Sequence, residues 1–571
     1  MTRRGRAPRW ARESVALLVG LAAACRPSGR DSDIAPDVAA RAARAARSPA
    51  AFVVAPAEAL TLAPGDTYDA ASLAYDSLGT ALAGRALRYT SADPRVVRVD
   101  DRGRLTATGP GRATITAAEG NARAEIRVAV RQPAERGVVD VDVFPEATFQ
   151  TIEGWEGVHQ MGQVECRPQS FARYKDELIP RVVNELGLNR IRIELRSGVE
   201  THSLADPGGN EAQSTDVVFR TPWFRPENDN DDPYVADSTG FQFERFDYDM
   251  THSVLPIRRL LAERGESLYL ALTYVDFFES TPFEQMSDPE EYAELLAVTF
   301  THMRQTFGFV PDGVEALLEP DNTPWTPEQL GRAIVAAGDR LEALGYTPEF
   351  IAPSTGNQAE AVWYYDRMRS VPRLLEYVKE LSYHRYSGTS EAALRAIALR
   401  AKRDGLRTAM LEHIPSGPAA LYKDLTLGGV SAWERFAIAF CARRANPEAE
   451  GVYYQINLRD PNRPEIVFPT EARLLSQYFA FIRRGAVRLG AASGAEAVQP
   501  VAFRNVDGKA VLVVRAEHGS KLRVTGLPAG SYASSWRTAT RNGTGAVAAV
   551  TPGGELRADI PDAGVLTIYA R

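Results

Sequence analysis

The longest stretch of regularly patterned sequence in this chain of 571 residues runs from residue 149 to residue 485. In it, short apolar runs alternate with stretches whose apolar residues recur every three or four positions. The short runs predict buried strands, and the longer stretches predict amphipathic helices. Regular alternation of the two predicts a parallel sheet whose strands are joined by helical crossovers.

Eight strand-helix units can be counted, and eight in succession predict a closed (β/α)8, or TIM, barrel over residues 149–485. Two helix starts carry capping signals, since Thr326 and Asp288 each precede a proline. Residues 434–444 (ERFAIAFCARR) are predicted to be helical. The predicted strands are residues 151–155, 190–195, 268–274, 314–319, 350–354, 381–386, 408–412 and 452–457.

Apolar and polar residues alternate in short runs on both sides of this region, which is typical of strands with one buried face. Residues 51–131 contain several such runs separated by turn residues and predict a small β-sandwich. Residues 486–571 return to the same pattern and predict a second β-sandwich. The chain is therefore expected to be multidomain, as its length also requires.

Residues 1–25 have a basic start followed by SVALLVGLAAA, an apolar stretch too short to span a bilayer. This pattern predicts an export signal, so the mature protein is expected outside the cytoplasm. Cys25 follows small residues, as in the lipobox of bacterial lipoproteins, and a lipid there would anchor the protein to a membrane. The alternative is cleavage nearby, which would release the protein. Residues 26–50 are predicted to be a tether.

Charge and cysteine content narrow the function classes. The net charge is −7, and no stripe of Lys and Arg interleaved with aromatic residues is found, so no nucleic-acid partner is expected. Cys166 and Cys441 lie far apart without metal-ligand spacing, so no disulfide and no zinc site are predicted. The acidic run 227–233 lacks the spacing of a calcium loop and is predicted to be a solvated loop. No metal or cofactor is expected.

Two glutamates stand at the C-terminal ends of predicted barrel strands, Glu319 on the fourth and Glu412 on the seventh. Active sites of TIM barrels lie at that end of the strands. Two carboxyl groups that face each other there can hydrolyse glycosidic bonds. A separation of about 5 Å would predict retention of the anomeric configuration, and one beyond about 6.5 Å would predict inversion.

Several segments together resemble retaining glycoside hydrolases of clan A, with family 30 as the nearest relative and family 39 next. The resemblance implies that Glu412 is the nucleophile and Glu319 the acid/base, with Arg192 and Tyr386 beside the nucleophile. It also implies that residues 136–148 add a strand to the C-terminal sandwich. The segments are FQTIEGWEG (149–157), GLNRIRIEL (187–195), LLEP (317–320), LSYHRYSG (381–388) and AMLEH (409–413).

The sequence departs from the clan at positions that bind the sugar. Leu318 precedes the acid/base, where the clan has an asparagine that binds the sugar 2-hydroxyl. Asn322 is expected to supply that amide, with a turn-capping role as the alternative. His384 is expected to contact the substrate or the nucleophile, or else to be a packed histidine. The remaining expected sugar contacts are Asn457, on the predicted eighth strand, and the indole rings of Trp155 and Trp325.

Residues 89–117 resemble the bacterial Ig-like group 2 domain, with Asp93-Pro94 and Gly109-Pro110-Gly111 in the expected order. Such domains are commonly spacers or adhesive modules. The sequence thus predicts an exported, lipid-anchored retaining glycosidase that acts on a plant-type or microbial β-glycan. The alternative is a cell-surface glycan-binding or adhesive protein whose barrel has lost activity, which the missing asparagine would suit.

Overall fold

The computed structural model describes residues 49–571, apart from residues 164, 165, 167, 203–224, 278–282, 443–445, 447, 449 and 450. The predicted export signal, Cys25 and residues 26–48 of the predicted tether lie outside the described residues. Within the described part, no helix combines the length and the apolar character needed to cross a membrane.

Residues 52–130 form short strands arranged in three sheets. The sheet β2-β9-β8-β5 and the sheet β3-β7-β6 share an apolar core that includes Leu105, Ile115 and Val128. The assignment to the Ig-like group 2 domain stays a prediction. The strands are β1 (Phe52–Val54), β2 (Ala59–Leu62), β3 (Thr67–Asp69), β4 (Leu73–Tyr75), β5 (Arg88–Ser91), β6 (Val97–Val99), β7 (Arg104–Ala107), β8 (Gly111–Glu119) and β9 (Ala122–Val130).

After β10 (Val138–Thr151), eight parallel strands close into a barrel in chain order, and the last pairs with the first. The predicted TIM barrel is confirmed. Most barrel residues are buried, because helices cover the outside and side chains fill the inside. The strands are β11 (Gly154–Val158), β12 (Arg190–Arg196), β13 (Tyr269–Val275), β14 (Gly313–Glu315), β15 (Glu349–Asn357), β16 (Val378–Ser387), β17 (Arg407–Met410) and β18 (Val430–Ala437).

The predicted eighth strand is wrong. Residues 430–437 close the barrel as β18, although residues 434–444 were expected to be helical. All but one residue of β18 is buried, so its sequence lacks the alternation that separates a strand from a helix. The predicted strand 452–457 belongs instead to a small sheet of β19 (Ala439–Cys441), β20 (Tyr454–Asn457) and β21 (Glu465–Val467).

The helices follow the barrel strands and cover them. Thr326 forms a full capping box with Gln329 at the start of its helix, and Asp288 caps another by accepting from the backbone N–H of Glu290. The α-helices of the described part are α1 (Pro168–Arg181), α2 (Glu244–Asp249), α3 (Leu255–Glu263), α4 (Pro289–Phe307), α5 (Pro327–Ala343), α6 (Glu360–Met368), α7 (Leu374–Tyr377), α8 (Glu391–Asp404), α9 (Pro418–Lys423) and α10 (Thr470–Phe479).

The C-terminal part is a nine-stranded sheet in which β10, from before the barrel, lies between β22 and β25. Its core is aliphatic, and Leu512, Val514 and Ile568 are fully buried in it. The strands after β21 are β22 (Val487–Ser493), β23 (Val498–Arg504), β24 (Ala510–Ala516), β25 (Ser520–Thr525), β26 (Gly530–Thr538), β27 (Asn542–Val550), β28 (Glu555–Ile560) and β29 (Gly564–Ala570).

Asp142, fully buried on β10, joins the N-terminal and C-terminal sheets. Its carboxylate accepts hydrogen bonds from Thr61 Oγ1 (3.0 Å), Arg131 Nε (2.6 Å) and Thr525 Oγ1 (2.7 Å). A buried carboxylate needs such donors to replace the water it loses. Asp142 is therefore one of the residues that tie the two sheets together.

Cys166 and Cys441 form a disulfide, with Cα atoms 5.3 Å apart, so the prediction of unpaired cysteines is wrong. A separation of 275 residues hides this contact in the sequence. The contact arises because β11 pairs with β18, which brings the loop after β11 beside the strand after β18.

Candidate active site

Glu319 follows the short barrel strand β14 and is 4% exposed. Its backbone has φ 47° and ψ 60°, a left-handed conformation that turns the chain sharply after the strand. The backbone N–H of Glu319 donates to the carbonyl of Ser354 on β15 (3.2 Å). The carboxylate of Asp321 accepts from two further backbone N–H groups of β15, at 2.7 and 2.9 Å. These contacts fix the backbone from which the Glu319 side chain projects.

Glu412 follows β17 and is 7% exposed. Its Oε1 accepts a hydrogen bond from the hydroxyl of Tyr386 (2.7 Å), and its Oε2 forms an ion pair with the guanidinium of Arg192. Burial raises the pKa of Glu412, while Arg192, His384 and Tyr386 favour the charged carboxylate. The structure thus brings Arg192 and Tyr386 to the two oxygens of Glu412.

His384, on β16, contacts the other glutamate. Its Nδ1 lies 2.8 Å from Glu319 Oε1, and its Nε2 lies 3.7 Å from Glu315 Oε1. Burial lowers the pKa of the imidazole, but the two carboxylates outweigh burial and raise the pKa of His384 to about 10. His384 is therefore a buried cation at neutral pH, and its hydrogen bond goes to Glu319.

One oxygen of Glu319, one oxygen of Glu412 and one ring nitrogen of His384 all lie within 4.8 Å of one another. Three such atoms could hold a metal ion. However, Glu319 and His384 already share a hydrogen bond, and Arg192 places a positive charge against Glu412. Both features repel a cation. The arrangement suits proton transfer and nucleophilic attack better than metal binding.

Charged side chains fill the barrel beneath the pair, and two of them, Glu315 and Glu434, were not predicted from the sequence. Nη1 of Arg192 lies 3.4 Å from Glu315, and its Nε lies 3.6 Å from Glu434. Burial favours the neutral form of Glu315, but Arg192 and His384 outweigh burial and lower the pKa of Glu315 to about 2. The signal available in the sequence was a charged residue inside each of several otherwise apolar strands.

The two indoles expected to bind sugar lie in the core, so the prediction of a stacking platform is wrong. Trp155 is fully buried, and its Nε1 donates to the carbonyl of Ile482 (2.6 Å). Trp325 is 3% exposed, and its Nε1 donates to Asp276 (3.0 Å). Asn457 lies on β20, in the small sheet outside the barrel.

The position before Glu319 carries no donor. Leu318 packs in a small apolar cluster with Val275 and Phe277. The amide of Asn322 does reach the site, where its Nδ2 donates to Glu319 Oε2 (2.8 Å). Asn322 therefore orients the carboxyl of Glu319, and sugar contact by this amide stays a prediction.

An aromatic wall stands beside Glu412. Tyr386 is 40% exposed although its hydroxyl is bound to Glu412. The ring of His413 meets it edge to face, with centroids 5.5 Å apart. Burial lowers the pKa of His413 to about 4, so this imidazole is neutral at physiological pH. The two rings together form a surface that is apolar with polar edges.

No family model and no curated protein sequence matches this chain. Solved structures do match. The catalytic domain of the GH30 xylanase C from Talaromyces cellulolyticus has a TM-score of 0.54 and 14% identity, covering 76% of this chain and all of its own. A GH30 endoxylanase from Clostridium papyrosolvens C71 has a TM-score of 0.53 and 17% identity, covering 76% of this chain and 100% of that chain. The endo-β1,6-glucanase BT3312 has a TM-score of 0.53 and 15% identity, covering 77% of this chain and 96% of that chain.

Identities this low establish a shared fold and nothing about the substrate. The barrel of this chain therefore has the fold of glycoside hydrolases of family 30, in clan A.

Proposed function

We propose that this protein is a retaining glycoside hydrolase that cleaves β-glycosidic bonds of a polysaccharide or oligosaccharide. The observation that carries the proposal is the buried pair Glu319 and Glu412, with oxygen atoms within 4.8 Å of each other at one end of the barrel. Retaining enzymes hold their two carboxyl groups about 5–5.5 Å apart, whereas inverting enzymes need about 6.5–9.5 Å to admit a water molecule. The spacing favours retention.

The surroundings of the two carboxyls suggest their roles. Arg192 and Tyr386 contact the two oxygens of Glu412 and favour its carboxylate form against the burial that raises its pKa, which suits a nucleophile. The cationic His384 donates to Glu319, and the proton between them is available for a leaving group. The two positions thus differ in their neighbours: a guanidinium and a phenol hydroxyl face Glu412, whereas a proton-bearing imidazole faces Glu319.

The reaction takes two steps. Glu412 attacks the anomeric carbon while Glu319 passes a proton to the glycosidic oxygen, so the glycosidic bond breaks and a covalent glycosyl ester forms on Glu412. Glu319 then takes a proton from a water molecule, whose oxygen attacks the same carbon and releases Glu412. Two inversions at one carbon leave its configuration unchanged.

The substrate class and location follow from less direct support. The solved structures with this fold include two xylanases and an endo-β1,6-glucanase, which supports a β-glycan as substrate. The disulfide between Cys166 and Cys441 suits an oxidising compartment, which supports export. We infer a cell-envelope protein anchored through Cys25, with residues 51–131 as a spacer.

Leu318 favours a second candidate function, that of a glycan-binding protein with an inactive barrel. A leucine at this position offers no donor to a sugar 2-hydroxyl, and hydrogen bonds to that hydroxyl strengthen in the transition state. The two candidates differ in turnover, since binding alone predicts none.

The test is hydrolysis by the purified protein of a panel of aryl β-glycosides, xylan and β1,6-glucan. We expect turnover by the wild type and a loss of about 10³-fold or more in Glu412→Gln, because the amide is no nucleophile. Glu391→Gln is the matched control, since Glu391 lies on α8 with its side chain 55% exposed. Retained glycan binding without turnover of any substrate by the wild type would establish the second candidate.

A further inference from the structure

Glu156 and Glu434 stand side by side inside the barrel. Strands β11 and β18 pair in parallel with these two residues in register, and both are 0% exposed. None of their four carboxyl oxygens accepts a hydrogen bond from the described residues. Two negative charges on neighbouring buried side chains repel each other strongly, which disfavours the state in which both carboxyls are ionised.

The guanidinium of Arg190 lies beside Glu156, but Arg190 also binds a second carboxylate, that of Glu380. Its Nε lies 2.5 Å from Glu156 Oε2. Its two terminal nitrogens bind both oxygens of Glu380, at 3.1 and 2.7 Å. Arg190 therefore makes its bidentate ion pair with Glu380, and it compensates the negative charge of Glu156 only in part.

The guanidinium of Arg192 is likewise shared between two carboxylates, those of Glu434 and Glu412. Its Nε lies 3.6 Å from Glu434, which is an ion pair without a hydrogen bond, while one terminal nitrogen contacts Glu412. A charged Glu434 would therefore compete with Glu412 for this guanidinium. The charged and titratable groups that face the pair from all packed elements are Arg190 and Arg192 on β12, Glu315 on β14, Glu380 on β16, Glu412 after β17 and Tyr453 before β20.

We propose that Glu156 and Glu434 share one proton near neutral pH, and that Glu434 is thereby a positioning residue that leaves the charge of Arg192 to Glu412. The positioning role rests on the proposed function, whereas the shared proton does not. Burial raises the pKa of Glu156 to about 7 and raises that of Glu434 well above its ordinary range, against the pull of the two arginines. These directions agree with a proton held by the pair.

Stability against pH tests the shared proton. Because the folded pKa of the pair lies above the unfolded value of about 4.3, its contribution to stability is full below that value and is lost as pH rises through about 7. Glutamine has the shape of a protonated glutamate and does not ionise. The Tm of Glu434→Gln minus the Tm of the wild type should therefore be higher at pH 8 than at pH 4.5, by about 3 °C or more.

Two further variants sharpen this test. Glu156→Gln should show the same gain, whereas the double variant should be less stable at pH 8 than either single variant, because the arginines then lose a charge they need. Glu380→Gln is the matched control and should lose stability at every pH. Isotope-edited infrared spectra at pH 7 should show a carboxylic acid C=O stretch that Glu434→Gln lacks.

If Glu434→Gln is less stable than the wild type at every pH, Glu434 is an ionised partner of Arg192, and the proposal is overturned. A double variant as stable as the better single variant would mean two protonated carboxyls and would also overturn it.

The positioning role is read from kcat/KM on an aryl β-glycoside. The ratio of Glu434→Gln to wild type should rise about three-fold or more from pH 5 to pH 8, as the wild type gains a charge that competes for Arg192. A ratio that does not change with pH would remove the positioning role. If the wild type hydrolyses nothing, the proposed function fails, and the Tm and infrared measurements still decide whether the proton is shared.

Discussion

The interior of the barrel and the core of the C-terminal sheet differ in the kind of side chain that they bury. The core of the sheet is aliphatic, with Leu512, Val514 and Ile568 fully buried. Burial of such surface stabilises a fold by about 25 cal/mol per Å². Around β12 the barrel instead buries ions, whose attraction roughly offsets their lost hydration. The buried charged residues there are Glu156, Arg190, Arg192, Glu315, Glu380, His384 and Glu434.

These ions form a continuous chain from one candidate catalytic carboxyl to the other. Glu319 binds His384 (2.8 Å), which lies 3.7 Å from Glu315. Glu315 in turn lies 3.4 Å from Arg192, which contacts Glu412. Around β12 the barrel therefore has less apolar packing than the C-terminal sheet, and it gains a fixed arrangement of charge at the site. Stability and activity should consequently respond to different substitutions.

The largest effect should come from Glu319→Ala. We expect kcat/KM on a natural glycan to fall by about 10³-fold or more, because the leaving oxygen loses its proton donor. An aryl glycoside whose phenol leaves without protonation should lose much less in the glycosylation step. Azide should restore turnover of that substrate by replacing the activated water. Equal losses on both substrates would mean that Glu319 does not protonate the leaving group.

Leu512→Ala should act on the other region alone. It removes a fully buried side chain from the core of the sheet, so the free energy of unfolding should fall by about 2–5 kcal/mol. Its kcat at 25 °C should equal that of the wild type, since Leu512 lies in the core of the C-terminal sheet and not in the barrel. Chemical denaturation and kinetics measure the two quantities, and Leu512→Met is the conservative control.

His384→Gln should change how stability depends on pH. The folded pKa of His384, about 10, lies above the unfolded value of about 6.5. Its stabilising contribution is therefore full below pH 6.5 and is lost as pH rises through 10. The wild type should therefore lose free energy of unfolding over that range, and the variant should lack this slope. Parallel curves would mean that His384 is neutral in the folded protein.

The smallest effect should come from Thr61→Val at the junction of the two sheets. It removes one of the donors to the buried Asp142 but leaves Arg131 and Thr525. We expect a loss of about 1 kcal/mol in the free energy of unfolding and unchanged activity. A change in kcat would show that this junction is coupled to the barrel.

Much of the fold followed from the sequence, because five or more apolar residues in succession mark strands such as β13, and regular helices follow them. The eighth strand failed for a physical reason. β18 carries Glu434 and Arg435 in its middle, and the pattern treats charged residues as exposed although both are buried here. The disulfide failed because closure of the barrel brings together residues that are far apart in sequence.

Some residues of the candidate site were predicted from the sequence, and others were not. Glu319 and Glu412 could be placed at strand ends because each follows an apolar run, and the alternation along β12 directs Arg192 inward. Their catalytic roles stay predictions. Glu315 and Glu434 were missed, because the sequence does not show which charged residues of other strands lie beside them in the barrel. Trp155 was misplaced because composition does not tell a buried indole from an exposed one.

The stereochemistry of the first product tests the central claim most directly. Proton NMR of an aryl β-glycoside digest, recorded before mutarotation, distinguishes the two anomers of the released sugar. The spacing of Glu319 and Glu412 predicts that the β-anomer forms first. First appearance of the α-anomer would mean inversion and would contradict a nucleophilic Glu412.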